Sequence, residues 1–259
     1  MKADLRHHLR RFVPKRFYAQ LRRLADAVAI IRKEGWQTWA NLQELDGNPY
    51  TLALHSLAHP FHIHRIPSHI DGIVQNILRG EYDALLQSRS PTCIIDAGSF
   101  IGDLACHWAT RFPAARIITL EPNTDNFAFA LTNTAPYAPR VTLLNAGLWS
   151  HPCHLSVSGS EMGSQVSESP VPTADSIQAV DIPYLLAAHH LNHIDILKLD
   201  IEGAERVVLG PSCENWLNHI GELVVEMHGQ QIEDEIVQRL TRLGFIPTRR
   251  RSLVFFHRH

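Results

Sequence analysis

The chain has 259 residues, a hydrophobic fraction of 45% and a formal net charge of −2. That length suits one large domain, or one domain with an appended segment, and the apolar content supplies a sizeable core. The charge gives the whole molecule no built-in attraction to nucleic acid. The four cysteines, Cys93, Cys106, Cys153 and Cys213, form no C-x-x-C pair. This argues against a zinc ribbon or a thioredoxin-like site and fits a reduced, cytoplasmic setting. No apolar run reaches the ~18 residues of a membrane span, and the start carries no apolar stretch with a cleavage site of the signal-peptide kind.

Residues 1–90 read as a basic, mainly helical segment. Lys2, Arg6, Arg10, Arg11, Lys15, Arg16, Arg22, Arg23, Arg32 and Lys33 face only Asp4 and Asp26 in the first 33 positions. Leu21, Leu24, Val28 and Ile31 recur at helical spacing. Such a helix is either a solvated terminal element or a weak contact for an anionic membrane surface. Asp46-Gly47-Asn48-Pro49 is a turn signal, and the flanking Tyr50–Leu54 and Phe61–Ile66 suit a small hairpin. His62 and His64 would share one face of a strand. With no cysteine or carboxylate cluster beside them they read as surface histidines, as do His189, His190 and His193 in a chain with 17 histidines. Ile70–Leu86 predicts one or two short helices broken at Gly80, and Ser90-Pro91 marks the entry to the main domain.

Residues 91–259 alternate strand and helix, which predicts a mostly parallel sheet with helices on both faces. The expected strands are Thr92–Asp96, Arg116–Glu121, Val141–Asn145, Ile194–Asp200 and Glu222–Glu226, with helices at Thr124–Thr132 and Ala204–Leu209 among them. Residues 150–180 are rich in Ser, Pro and Gly, and short alternating pieces such as His154–Val157 interrupt them. They read as an inserted hairpin and loop, a wall or lid for a substrate site.

The first strand leads into D-A-G-S-F-I-G. A strand, a glycine turn at Gly98 and Gly102 and a helix make the first half of a nucleotide-binding unit. Glu121 ends the next strand 25 residues after Asp96, close to the ~20-residue step of a carboxylate that takes a ribose hydroxyl pair. A dinucleotide fingerprint wants G-x-G-x-x-G, so that backbone N–H groups meet a pyrophosphate. Here Phe100 fills the middle glycine position, and Asp96 opposes a pyrophosphate at the mouth of the turn. A carboxylate suits the ammonium and sulfonium of S-adenosyl-L-methionine better than it suits NAD.

A second constellation is D-I-L-K-L-D-I-E-G-A-E, Asp195–Glu205. Alternation predicts Lys198, Asp200 and Glu202 on one side, with Asp200 at a strand's carboxyl end beside the first strand, where ligands bind in a doubly wound sheet. In L-V-V-E-M-H, Glu226 and His228 share a side. His228 can act as a general base on a hydroxyl. Alternatively, Asp200, Glu226 and His228 can hold a divalent cation that lowers the hydroxyl's pKa. No metal is assigned outright.

Together these pieces resemble the FkbM family of S-adenosylmethionine-dependent methyltransferases. The resemblance runs from about Pro91 to His228 through I-I-D-A-G-S-F-I-G-D, L-E-P-N-T-D-N-F, I-D-I-L-K-L-D-I-E-G-A-E-R-V-V-L and V-V-E-M-H. The third motif is the most specific, the family's form being close to lKiDvEGaE. The resemblance implies a Rossmann-like class I methyltransferase fold with a seven-stranded sheet whose last strand is antiparallel, closed by Gly244-Phe245 and Arg251–His257. It implies that Asp96, Gly98 and Gly102 surround the methionine part of the cofactor and that Glu121 takes the ribose. Pro122 and Asn123 would shape the following turn, Asn126 would lie near the cofactor, and Asn145 and Ala146 would border the adenine. Asp200, Glu202 and His228 would line the methyl-acceptor side, with Asp200 or His228 taking the proton and Lys198 and Glu226 beside them. The family usually reads G-A-N-x-G in the first turn, and Phe100 stands at the Asn position. The implied reaction is O-methylation of a small-molecule, sugar or glycan-like hydroxyl. The competing classes are a nicotinamide-dependent oxidoreductase on a similar sheet and a non-catalytic membrane-associated binding protein.

Overall fold

The computed structural model describes residues 15–88, 90–158, 165–169, 173 and 176–258. The amino-terminal part holds helices α1 (Lys15–Glu34) and α2 (Trp36–Asn41), then strands β1 (Pro49–Leu52) and β2 (Phe61–His64), paired antiparallel as the expected hairpin. Helix α3 (Pro67–Gly72) runs into a π-helical stretch, Ile73–Leu78, that stops before Gly80. The main part follows as β3 (Cys93–Ala97), α4 (Asp103–Arg111), β4 (Arg116–Leu120), α5 (Thr124–Thr134), β5 (Val141–Leu144), β6 (Gly147–Leu148), β7 (Cys153–Ser158), β8 (Gln165–Glu168) and β9 (Ile177–Val180). It closes with α6 (Ile182–Ala188), β10 (Ile194–Leu199), α7 (Glu205–Val208), β11 (Ile220–Glu226), α8 (Gln230–Arg242), β12 (Ile246–Arg250) and β13 (Leu253–His257).

Seven strands form the central sheet in the order β12-β13-β11-β10-β3-β4-β5. The β3, β4, β5, β10 and β11 ladders are parallel, and β13 runs antiparallel to both β11 and β12. All five residues of β3 are buried, as a parallel strand covered on both faces requires. The strand order reverses between β3 and β10, so their carboxyl ends open the crevice where a doubly wound sheet binds its ligand. Asp195 fixes the lower end of this pair by accepting hydrogen bonds from Thr92 N (2.7 Å), Thr92 Oγ1 (2.8 Å) and Cys93 N (2.9 Å). The register then sets Lys198 opposite Asp96.

Residues 150–180 contain the expected hairpin, β7 with β8, and more besides. β9 pairs antiparallel with β7 and parallel with β6, giving a separate four-stranded sheet. Its Leu155 and Ala179 pack with Trp149 and Ala204, bracing the turn after β10.

The amino-terminal part shares a core with the sheet: Ile30, Phe61, Ile73 and Ile77 lie in one apolar cluster with Ile94, Trp108 and Phe255. The basic residues from Lys2 to Arg11 lie outside the described residues. Within α1, Ile30 is buried whereas Leu24 and Val28 are exposed, so the expected stripe is not the packing face. Lys33 donates to the Ile77 carbonyl at 3.0 Å, at the π-helical stretch. Asn133, 1% exposed, clamps the hairpin to the main part: His62 N donates to its Oδ1 (2.7 Å), and its Nδ2 donates to the carbonyls of His62 and Ile101 (both 2.9 Å). Asn133→Ala strips partners from three backbone groups. At 1–3 kcal/mol for each group left unsatisfied, partly relieved by water, the expected loss is roughly 2–4 kcal/mol, read as a lower midpoint in urea unfolding.

Candidate active site

The turn after β3 is built by close approach. Gly98 has φ +87°, and a Cβ there would fall 1.9 Å from the Asp200 carbonyl oxygen at the end of β10. Only glycine fits a backbone contact of that kind. Phe100 is also left-handed, at φ +49°, a region that Asn tolerates better than a bulky side chain does. Its ring packs edge-on to His69, with centroids 5.4 Å apart. Thus the position that is usually Asn here anchors the amino-terminal part.

Glu121 receives Phe100 N at one carboxylate oxygen (2.7 Å) and Asn123 N at the other (2.9 Å). The Asn126 side chain hydrogen-bonds the same carboxylate, so three of its roughly four acceptor sites are taken within the protein. Burial raises the carboxyl and the two backbone N–H groups lower it, leaving it at about 7. The Asn123 side chain caps α5 by accepting from Asp125 N and Asn126 N, and Asn145 Nδ2 holds the Glu121 carbonyl at 2.9 Å.

A cleft opens over these groups. Of the residues expected at a cofactor, Gly98, Glu121, Pro122, Asn126 and Ala146 line it. Asp96, Gly102, Asn123 and Asn145 stand behind it and do not. Asp96 is fully buried, with its oxygens 2.9 Å from Thr119 Oγ1 and 3.1 Å from Lys198 Nζ. Lys198 also donates to the Gly98 carbonyl at 2.5 Å and sits 3.7 Å from Asp200. Burial opposes its charge, but Asp96 and Asp200 raise it above the ordinary lysine range. Further lining comes from Asp103 and from Gly72 and Asn76 of the amino-terminal part. Asp103, raised by burial to about 6, accepts from Asn76 Nδ2 at 2.8 Å.

A second cavity adjoins the first and shares Gly72, Asn76, Asp200 and Glu202 with it. Tyr82, Glu226, His228 and Ser252 add to its wall. The Tyr82 hydroxyl lies 2.9 Å from Asp200 Oδ2 and 3.1 Å from Glu226 Oε2. A phenol has one hydrogen, so satisfying both contacts requires one of the two carboxyls to be protonated. Burial and the neighbouring Asp200 raise Glu226 accordingly. His228 Nδ1 lies 3.1 Å from Glu205, while its Nε2 is 3.5 Å from Glu202 and 3.7 Å from Asp200. Burial lowers this imidazole, but the three carboxylates override it and raise it to about 9.

Strand alternation accounts for Lys198 and Asp200 but not for Glu202. The strand ends at Leu199, and Glu202 enters the site through a left-handed turn, φ +51°. Glu205, fully buried, holds that turn by accepting from Ile201 N (2.8 Å) and Gly203 N (2.9 Å). Sequence reasoning missed its role, although a glutamate inside an apolar helix start is a visible signal. It also missed Tyr82, which nothing local distinguishes.

The family model for the methyltransferase FkbM domain matches residues 96–247, more than half of the chain. The chain belongs to the FkbM methyltransferase family. It is therefore a methyltransferase domain, and its strand order is that of a class I methyltransferase fold. Among solved structures it is similar to methyltransferase FkbM from Methylobacillus flagellatus KT (17% identity, TM-score 0.49), over 74% of this chain and 55% of that one. It therefore spans little more than half the length of that relative. It is also similar to precorrin-6y C5,15-methyltransferase from Geobacter metallireducens GS-15 (13%, TM-score 0.43, 70% and 88%). A third is Aeropyrum pernix fibrillarin in complex with natively bound S-adenosyl-L-methionine (12%, TM-score 0.40, 66% and 67%). None of the curated proteins matches.

Lys198→Met would leave Asp96 buried without its cation. The expected cost is roughly 3–5 kcal/mol in denaturant unfolding, the range for breaking a buried pair from one side.

Proposed function

We propose that this FkbM-family chain transfers the methyl group of S-adenosyl-L-methionine to a hydroxyl of a sugar-like or other polyhydroxylated acceptor. The observation that carries the reading is the pair of joined cavities, one with a ribose-type carboxylate and the other lined by carboxylates around a phenol.

The first cavity suits the cofactor in chemistry. Glu121 offers its carboxylate to a ribose hydroxyl, Leu120, Pro122, Ala146 and Leu148 give apolar walls for a purine, and Asp103 offers a carboxylate to an ammonium. When bound, the cofactor supplies an electrophilic methyl on a sulfonium. The protein's own work is to bind, orient and accept a proton. Carboxylates of the second cavity accept hydrogen bonds from acceptor hydroxyls and hold the reacting oxygen at the junction. The hydroxyl proton passes to the pair Asp200 and Glu226, joined through Tyr82. The sequence pointed to Asp200 or His228 as the base. Both nitrogens of His228 already face carboxylates, which favours the Asp200 side. Tyr82, Gln75 and Asn76 lie outside the matched domain, so the amino-terminal part contributes to the choice of acceptor.

Calorimetric titration with S-adenosylhomocysteine tests the cofactor reading. One-to-one binding is expected, weakened roughly 10–100-fold by Glu121→Ala, the value of hydrogen bonds to a charged group. Parallel titration with NAD decides against the nicotinamide alternative if only the thioether nucleoside binds. The sign of the pH dependence follows from Glu121. Its carboxyl holds a proton below about pH 7 in the free protein, and ribose hydroxyls bind the ionised form. The dissociation constant therefore rises as pH falls below about 7, by at most about tenfold per unit, and Glu121→Gln flattens that slope. Methyl transfer from labelled S-adenosylmethionine to a panel of sugars and hydroxylated small molecules, lost in Asp200→Asn, tests the acceptor side.

A further inference from the structure

We propose that Asp200, Glu202 and His228 form a divalent-cation site at the junction of the two cavities, where the ion would grip an acceptor oxygen. The inference deepens the methyl-transfer reading and rests on it for its purpose, although ion binding itself does not need it.

The ligand atoms converge from two strand ends. His228 Nε2 lies 3.5 Å from Glu202 Oε2 and 3.7 Å from Asp200 Oδ1, and the three ligand atoms lie within 4.8 Å of one another. Atoms that share one ion at ~2.1 Å stand about 3.0–4.2 Å apart, so the spacing needs little adjustment. The distances are too long for good hydrogen bonds, leaving a gap and not a closed network.

Two of the ligands are also prepared from behind. Glu205, fully buried and fastened by two backbone N–H groups, meets His228 Nδ1 at 3.1 Å. That is the carboxylate–histidine arrangement that fixes a metal-ligating imidazole, and it turns Nε2 toward the gap. Tyr82 engages Asp200 Oδ2, so Oδ1 remains for the ion. Among the described residues no hydrogen-bond donor is seen on Glu202, whose carboxylate enters the gap only through the left-handed backbone at that residue. Two carboxylates and one imidazole suit a cation that accepts mixed oxygen and nitrogen ligands, such as Mn²⁺, with positions left for water and for acceptor hydroxyls. All three ligands line the second cavity, so those open positions face the acceptor.

A different trio, His151, Cys153 and Glu168 on the β7–β8 hairpin, supplies the internal comparison. Mn²⁺ binding to the full-length protein would be followed by electron paramagnetic resonance, with circular dichroism confirming that each variant folds. One site is expected, weakened at least tenfold in Asp200→Asn, Glu202→Gln and His228→Ala and unchanged in His151→Ala. No saturable binding, binding indifferent to Glu202→Gln and His228→Ala, or binding lost in His151→Ala instead would overturn the site. S-adenosylhomocysteine is titrated into the same samples. Nucleoside binding without Mn²⁺ binding removes the ion site alone, whereas Mn²⁺ binding without nucleoside removes the cofactor reading and leaves the ion site standing.

Discussion

The site depends on one buried ammonium. Lys198 is placed opposite Asp96 by the β3–β10 register, and it also meets the Gly98 carbonyl and approaches Asp200. It therefore ties the glycine turn of one strand to the acidic end of the next. Isolated in the interior, a charged lysine would be too costly to keep. Between two carboxylates and a carbonyl it becomes the part that holds the crevice at the topological switch point in shape. The close approach of Gly98 to Asp200 is the steric half of the same constraint.

From that join the two cavities follow. The cofactor cleft is shaped by the glycine turn, by Glu121 held through backbone N–H groups, and by the small apolar residues after β5. The second cavity is shaped by the ends of β10 and β11 and is roofed by the amino-terminal part. Glu205 links local folding to chemistry, because one carboxylate both closes the left-handed turn and orients His228.

Much of the fold was legible in the residues. Apolar strands, four of the five ending in Asp or Glu and the third in Asn145, predicted the parallel sheet and its functional edge, and the observed β3, β4, β5, β10 and β11 lie within two residues of the expected spans. Asp200, Glu202, Glu226 and His228 were read from spacing and do converge. Asp96 shows the limit of such reading. Sequence places it at the turn's mouth, but whether its charge faces the ligand or a buried lysine depends on the neighbouring strand. Tyr82 shows a second limit, because it reaches Asp200 across 118 positions of chain. The four-stranded side sheet escaped for a similar reason: β6 and β9 are short, and only their pairing with β7 defines them.

The most direct test of the account is a crystal structure of the protein with S-adenosylhomocysteine. The account predicts the ribose hydroxyls on the Glu121 carboxylate, the purine against Pro122, Ala146 and Leu148, and the sulfur directed to the junction at Asp200. A ligand bound elsewhere, or one lying in the cleft with Glu121 untouched and its sulfur remote from Asp200, would contradict it.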